Sequence, residues 1–442
     1  MSDRPMFAVA GLPSDAPGGV LDTAQQIVFE TAVNEVVALP AVQAARRDVV
    51  EMYRADPQGR TAAGAATLET AADAITVAAA QMIVNDDPTR PQFSWEANAA
   101  HQWHALDVPA SGYGIDNPDN VHRHAAVDGS STYVVRGRMP ARRPSQLSFV
   151  LYGEIPGTGA VTKEGAPILG FLTSDRMHIE PDGAFTVTVS PEPADGGANH
   201  IRTAAGARLL IARDSLDDWS AQTPSELSIE RIAGPPLDAP RSTEDLADRT
   251  ADLLRRIGRY WLDYDNAFVY SKPANTVQPP PGLRASGFGF ATSGHFALGP
   301  GQALVVTLDP VGAKYLGFEL TDPWGVAREY VRRTGSLNQA QAEPNPDGTI
   351  TYVVAAEDPG TANWLDTDGI DAGLFAVRWQ SVPAGADVSG AVGAVDLVAV
   401  VDLPTELAAR GALVGAVTPT QRSARLDRRV MDYLQRLASP PI

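Results

Sequence analysis

The densest group of potentially reactive side chains lies in the stretch YGIDNPDNVHRH, residues 113–124. Carboxylates and imidazoles are common proton donors and acceptors in enzymes, and burial beside aromatic rings shifts their pKa values. Side chains two positions apart point to the same side of a strand, so His122 and His124 would share one face. The candidate catalytic residues are therefore Asp116, Asp119, His122, Arg123 and His124.

The same stretch has other interpretations. Asp and Asn side chains around a proline commonly hydrogen-bond the local backbone as Asx-turns, which is a purely structural role. Their oxygens are also suited to calcium or to sugar hydroxyls. His122 and His124 could simply face solvent on their strand. The sequence leaves these alternatives open.

A second unusual stretch is DPGTANWLDTDGIDAGLFAVRWQ, residues 358–380, in which turn residues precede a strand-like segment. One interpretation is that Trp364 anchors a loop in an apolar socket, Asp366 bonds backbone amides and Arg378 pairs with an acid. The other is that these side chains line a site. Aromatic faces beside carboxylates recognise polyols or flat apolar rings.

A metal site has one candidate, HQWHALD, which places His101, His104 and Asp107 at three-residue intervals. On a helical turn these ligands would share a face and suit zinc or iron. Flanking prolines favour a loop instead, where the spacing means little. The chain has no cysteine, which excludes disulfides, thiolate nucleophiles and zinc sites built on sulfur. We therefore predict no bound metal and no cofactor.

The sequence contains no motif for several other classes of reaction. There is no Gly-x-Ser-x-Gly elbow and no Walker sequence, and GFGFAT at 287–292 lacks the last glycine of a dinucleotide loop. Only three lysines are present for Schiff-base chemistry. A formal net charge of −18 disfavours nucleic acid and anionic membranes as partners. The amino terminus resembles no signal peptide and no apolar window would span a membrane, so we expect a cytoplasmic protein.

The element pattern predicts a mainly β protein. Helical periodicity covers about 19–86, with Thr67 as a weak cap for the third helix, and a capped amphipathic helix covers 242–264. Short alternating segments with turn residues between them favour β-sandwiches, and HRHAAVDGSSTYVVRGRM predicts a hairpin turning at Asp128-Gly129. The predicted units are a helical region (1–90), a first jelly-roll-like β-sandwich (91–240), a connecting helix with a Pro-rich linker (241–284), a second β-sandwich (285–402) and a helical tail (403–442).

Two stretches carry a family likeness. Residues 285–380 closely resemble the bacterial family known as domain of unknown function 1214, through Trp324, Ser336-Leu337-Asn338, Asp358-Pro359-Gly360, Asn363-Trp364-Leu365-Asp366 and Arg378-Trp379. Residues 112–232 resemble it more weakly. The likeness implies all-β sandwiches that are often oligomeric, and it implies no reaction. The candidate ligand-binding residues are Trp324, Asn338, Asn363, Trp364, Asp366 and Arg378.

These observations lead to two hypotheses about function. The first is an enzyme of hydrolase or lyase type that acts on a small organic molecule through Asp, His and Arg side chains. The second is a non-catalytic module that binds a carbohydrate or a lipid-like ligand, or that serves assembly. An enzyme should bring titratable groups together in a deep pocket, whereas a binding module should present a shallow aromatic groove. Apolar faces on the terminal helices further predict a homo-oligomer, most simply a dimer.

Overall fold

The structure is a computed structural model that describes residues 19–194, 196, 199–280, 282, 289–412 and 416–437. The amino-terminal stretch used above for localisation lies outside the described residues. So do parts of the Pro-rich linker and of GFGFAT.

Three helices follow the amino-terminal stretch, as the periodicity predicts. They are α1 (Ala24–Val37), α2 (Pro40–Ala55) and α3 (Ala62–Val84). The cap of α3 is Thr61, whose side chain accepts the Gly64 amide, so the predicted cap Thr67 is wrong and lies inside the helix. Later come α4 (Thr243–Phe268), capped by Ser242, then α5 (Leu403–Ala409) and α6 (Pro419–Gln435).

Apart from two short 3-10 helices, Gln58–Arg60 and Val400–Asp402, the remaining regular elements of the described residues are strands. Those before α4 are β1 (Ser94–Glu96), β2 (His101–Trp103), β3 (Leu106–Val108), β4 (Asn120–Ala126), β5 (Thr132–Arg138), β6 (Gln146–Tyr152), β7 (Ile168–Thr173), β8 (Ala184–Ser190), β9 (His200–Arg202), β10 (Leu209–Ser215) and β11 (Glu226–Ala233). Those after α4 are β12 (Phe290–Ala297), β13 (Gln302–Leu308), β14 (Tyr315–Thr321), β15 (Ser336–Asn338), β16 (Ile350–Ala355), β17 (Trp364–Asp366), β18 (Ala372–Gln380) and β19 (Val392–Ala399).

The strands form four main sheets and one small hairpin of β2 and β3. Sheet 1 has the order β1-β4-β10-β6-β7 and sheet 2 the order β11-β5-β8-β9. Sheet 3 has the order β12-β18-β14-β15 and sheet 4 the order β17-β16-β13-β19. The predicted hairpin at Asp128-Gly129 is wrong, because β4 lies in sheet 1 and β5 in sheet 2. Both strands exist, and the turn between them crosses from one sheet to the other.

Each pair of sheets shares a hydrophobic cluster. Phe149 and Leu210 of sheet 1 meet Val135 and Val187 of sheet 2 in one cluster. In the second cluster, aromatic and aliphatic side chains of sheet 3 meet those of sheet 4, and they include Phe318, Phe375, Val306 and Tyr352. Alternation along each strand sends every second side chain into these clusters. The opposite face of each sheet does not contribute to these clusters.

Helices pack on two further apolar surfaces, namely the outer face of sheet 1 and the cluster around Trp219. Residues of α2, α3 and α4 form one cluster with Leu209 and Ile211, which lie on the outer face of sheet 1. Tyr433 of α6 and the following Leu437 pack against Trp219 and Trp103. The apolar faces from which an oligomer was predicted are thus buried within the chain and do not themselves require a second subunit.

No single helix among the described residues is both long and apolar enough to cross a membrane. The pair α1 and α2, bent by 71°, passes that test jointly on length and composition.

Candidate functional site

The two pairs of sheets meet through the outer faces of sheets 1 and 3, and this junction is polar. Ser215 of sheet 1 hydrogen-bonds Gln380 of sheet 3 at 2.5 Å, and Gln146 donates to Ser381 at 2.9 Å. The loop that leads into β4 is held in the same junction, because Arg378 of sheet 3 donates to the carbonyl of Ile115. The DNPDN stretch is therefore buried between the first β unit, which comprises sheets 1 and 2, and the second β unit, which comprises sheets 3 and 4.

Strand pairing places three ionisable side chains in a row on the outer face of sheet 1. His122 of β4 is in register with Glu96 of β1 on one side and with Arg213 of β10 on the other. His124 lies one pleat further along the same face, and its Nδ1 is 2.5 Å from Oε2 of Glu96. Both histidines are buried, at 6% exposure each, and do not face solvent. The prediction that they share a face is confirmed.

His122 is buried among charged side chains. Burial lowers its pKa well below the ordinary value, and the nearby charges of Arg213, His124 and Arg378 lower it further. Its Nε2 has no hydrogen-bond partner among the described residues. This arrangement gives a neutral imidazole with a buried nitrogen that is available to a hydrogen-bond donor.

Asp116 approaches these groups from the loop before β4. Its Oδ2 accepts the backbone amide of Tyr113 at 2.9 Å. Burial raises the pKa of this carboxyl group, while the Tyr113 hydrogen bond and the charges of His124, Arg378 and Arg213 oppose the rise. The carboxyl group therefore interacts with charged groups from both β units.

The second β unit contributes an ion pair. Glu319 of β14 and Arg378 of β18 lie on neighbouring strands and pair directly, with Glu319 only 1% exposed. Acids and bases from both β units thus form a polar cluster, which comprises Glu96, Asp116, His122, His124, Arg213, Glu319 and Arg378.

A cavity of about 70 Å³ adjoins this polar cluster at Asp116. Its wall comes from α3, from residues 97–100, from 110–112 and 116–118, and from 326–332. Asp116 is the member of the polar cluster that lines the cavity. A ligand in this cavity would therefore contact the polar cluster through Asp116.

Arg123 and Asp119 are not part of the polar cluster. Arg123 projects to the opposite side of β4, where it pairs with Asp214 and donates to the carbonyl of Ser225 at 2.6 Å. Asp119 accepts hydrogen bonds from Tyr315 at 2.7 Å, Trp219 at 2.8 Å and Asn338 at 2.9 Å. The structure therefore gives Arg123, Asp119 and the predicted ligand-binding residue Asn338 partners that hold the fold together.

The other predicted ligand-binding residues lie apart from the cavity wall. Trp364 is 6% exposed, and its indole donates to the Ala355 carbonyl at 2.9 Å. Asp366 accepts the Asp368 amide and pairs with Arg333 at 2.8 Å. Asn363 bonds three backbone groups, from residues 343 and 351. These contacts match the interpretation in which the stretch pins a loop to a core.

Trp324 has a structural contact of its own. It stacks on Tyr53 of α2, with the ring centroids 4.5 Å apart and the rings 2° from parallel. Its indole donates to the Gly64 carbonyl at 3.2 Å. The ring therefore docks the second β unit onto the amino-terminal helices.

The proposed metal ligands are also separated. His101 lies in β2, His104 in the turn and Asp107 in β3, so a shared helical face does not exist. His101 is 3.5 Å from Glu30, and His104 is 2.5 Å from Asp22. Within the described ranges, no group of three or more His, Asp or Glu side chains is arranged to hold a metal ion.

Glu96, Arg213 and Glu319 were not predicted as site residues. Two of them carried a usable signal, since Arg213 interrupts the apolar segment LLIARDS and Glu319 interrupts YLGFEL. A charge within a fully buried strand must have a partner. The sequence does not reveal that Arg213 and Glu319, from different β units, lie in one cluster, and Glu96 had no such context.

Comparisons with known proteins address the fold. No family model matches the chain, and no curated protein matches it significantly. It is similar to a solved structure of an uncharacterised protein from Burkholderia cenocepacia, with a TM-score of 0.64 and 23% identity over 86% of this chain and 99% of that one. The VPA0106 protein from Vibrio parahaemolyticus gives a TM-score of 0.38 and 11% identity over 64% of this chain and 90% of that one, too low to support a shared fold. The Burkholderia protein and this chain share a mainly β fold.

Proposed function

We propose that this protein is an enzyme that acts on a small organic molecule by proton transfer at Asp116, without a nucleotide cofactor. The observation that carries the proposal is the position of Asp116, which lines a cavity while charged groups from both β units surround its carboxyl group. Perturbed ionisable groups beside a cavity are typical of catalytic sites. An ion-pair network with a purely structural role does not need a cavity beside it, so the cavity favours a catalytic role for Asp116.

Asp116 is the proposed general acid and base. Its raised pKa brings the protonated and ionised forms closer in free energy, which suits a group that must both give and take a proton. Arg213, Arg378 and His124 are positioning residues whose charges favour the ionised form. The neutral imidazole of His122 lies behind them and can accept a hydrogen bond at Nε2.

Hydrolases and lyases both fit this set of groups. In each class one proton leaves a water or a substrate carbon, and another reaches the leaving group. Asp116 supplies these two functions in turn, taking a proton as the base and giving one as the acid. Asp119 supplies neither proton transfer, because its carboxylate oxygens already accept hydrogen bonds from Tyr315, Trp219 and Asn338.

We also propose that each pair of sheets is a β-sandwich and that the chain is a divergent member of the family it resembles. The hydrophobic cluster that each pair of sheets shares supports the first point. The buried contacts of Trp364, Asp366 and Arg378 support the second, since these residues belong to the motif that suggested the family.

A binding module is the second candidate, and one surface favours it. An open groove of about 730 Å³ crosses the outer face of sheet 2, where Arg136, Glu180, Thr186 and Asn199 contribute polar groups. Sugar-binding grooves usually present an aromatic face. The Phe ring in this groove, Phe185, is only 5% exposed and packs on Phe149. The polar cluster therefore supports the enzyme more strongly.

A depletion assay tests the enzyme hypothesis. The full chain is incubated with a defined pool of small esters, amides, alcohols and hydroxy acids, and mass spectrometry follows their consumption. The wild-type protein should consume at least one compound, and Asp116→Asn should do so on the order of 100-fold more slowly or worse. The control is Asp347→Asn, because Asp347 is an exposed turn carboxylate.

Three results decide between the candidates. Equal consumption by wild type and Asp116→Asn would remove Asp116 from the mechanism. No consumption of any compound counts against an enzyme of this class. Binding of an oligosaccharide that Arg136→Ala weakens, with no consumption, would favour the groove on sheet 2.

A further inference from the structure

The cavity beside Asp116 has an unusual wall. Six alanines line it from four separate segments, and they are Ala74, Ala97, Ala99, Ala100, Ala110 and Ala327. Their methyl groups leave space that larger side chains would fill. A well-packed interior rarely retains a void larger than a water molecule.

The polar groups of the wall are mostly occupied. Asn98 donates to the carbonyls of Ala99 and Pro109, and its Oδ1 accepts from Ser111 and Gln81. Arg328 at the rim pairs with Asp368 at 2.5 Å. The described hydrogen bond of Asp116 uses Oδ2, and no hydrogen bond to Oδ1 is found in the described part of the chain. Among the polar cluster, Asp116 is therefore the group that lines the cavity with an oxygen to offer a ligand.

Backbone strain lies at the same place. Ala97 in the cavity wall has φ 53°, and Ile115 next to Asp116 has φ 60°. A side chain with a Cβ seldom adopts this left-handed conformation, and a β-branched residue such as isoleucine does so very rarely. Such strain persists only where the surroundings hold it, and it concentrates at functional sites. It supports a ligand site and argues against a packing defect.

We infer that this cavity binds the substrate, and that the substrate is a compact, uncharged molecule of about three to five non-hydrogen atoms with one hydrogen-bonding group directed at Asp116. The inference rests on the proposed function only in calling the ligand a substrate. The size follows from the volume of about 70 Å³, since an engineered apolar cavity of about 150 Å³ accommodates benzene. The absence of charge follows from the charged groups of the wall, because its two acids, Asp116 and Glu329, and its two arginines, Arg328 and Arg332, leave no net formal charge to offset the cost of burying an ion.

Filling the cavity provides the critical variant. Ala74 lies on α3 and is 5% exposed, so Ala74→Leu adds three carbon atoms from a helical position. Ala65→Leu is the matched control, because Ala65 lies on the solvent-exposed side of the same helix. Ala327→Val narrows the opposite wall and serves as a second variant if Ala74→Leu does not fold.

Saturation-transfer NMR on the full chain would test binding with named probes. Acetamide and 2-propanol match the predicted size and charge, acetate has the size but carries a charge, and phenol is too large. Wild type and Ala65→Leu should bind acetamide or 2-propanol more strongly than acetate or phenol. Ala74→Leu and Ala327→Val should each weaken that binding at least tenfold.

The outcomes separate this inference from the proposed function. Unchanged probe binding in both folded cavity variants overturns the inference, and so does a preference for acetate or phenol. If the cavity variants keep wild-type turnover in the depletion assay, the cavity is not the substrate site although the enzyme hypothesis survives. Probe binding that the cavity variants abolish, without turnover of any compound, supports the ligand site and counts against the enzyme.

Discussion

Asp119 of the first β unit accepts the hydroxyl of Tyr315 from the second at a distance of 2.7 Å. Trp219 and Asn338 complete the coordination of this buried carboxylate from two further segments. The contact joins parts of the chain that are 196 residues apart. The DNPDN stretch thus fastens the two β units together through Asp119 and, through Asp116, borders the cavity.

The first prediction concerns this contact. Tyr315→Phe should lower the free energy of unfolding by about 1.5–3 kcal/mol, because a hydrogen bond to a charged group is lost inside the protein. Tyr352→Phe is the matched control, since its hydroxyl is buried without a hydrogen-bond partner among the described residues. That control should be neutral or slightly stabilising. Urea denaturation measures both, and equal effects of the two variants would mean that the contact contributes nothing.

The second prediction concerns the pH dependence of activity. The charge of Arg213 lowers the pKa of Asp116, against the larger effect of burial. Arg213→Met removes that charge, so the pKa of Asp116 should rise and the limb of the rate profile that reports its ionisation should move to higher pH. Rate–pH profiles with a substrate from the depletion assay measure the shift. An unmoved limb, or one displaced to lower pH, contradicts Asp116 as the titrating group.

The sequence predicted the helices and strands better than their arrangement into sheets and into the polar cluster. Local periodicity located all three amino-terminal helices and β18, and periodicity with a capping residue located α4, because these depend on neighbours along the chain. The hairpin at Asp128-Gly129 failed because a turn motif does not tell which sheet the next strand joins. The polar cluster depends on contacts such as Arg378 with Ile115, which no local pattern encodes.

The third prediction concerns Trp364. Its ring packs in a cluster that includes Val305, Leu403 and Leu407, and the Arg422 guanidinium lies 5.1 Å from the ring centroid. Trp364→Ala should lower the free energy of unfolding by about 3–5 kcal/mol, as for other buried aromatic truncations. Turnover by the protein that remains folded should be unchanged, since the residue is not part of the cavity wall. Wild-type melting with lost ligand binding would instead place Trp364 in a site.

The last prediction concerns Asp322, a buried carboxylate that has no role in the proposed mechanism. Asp322 is 2% exposed, and burial raises its pKa to about 6, although Arg328 and the amides of Val326 and Trp324 favour the ionised form. An acid with a higher pKa in the folded than in the unfolded state binds more protons when folded. Its contribution therefore stabilises the protein at low pH, and stability falls as pH rises from about 4 to about 6.

Asp322→Asn removes this titration and keeps an oxygen that can accept the amides of Trp324 and Val326. Relative to wild type, the variant should become more stable as pH rises from 4 to 7, by at most about 3 kcal/mol for a shift of some two pKa units. Burial and the charge of Asp322 raise the pKa of the neighbouring Asp265 well above its ordinary value. Urea denaturation at pH 4, 5.5 and 7 measures the difference between the two proteins. A difference that is constant with pH, or one that favours wild type increasingly at pH 7, would show that Asp322 is ionised at no cost in the folded protein.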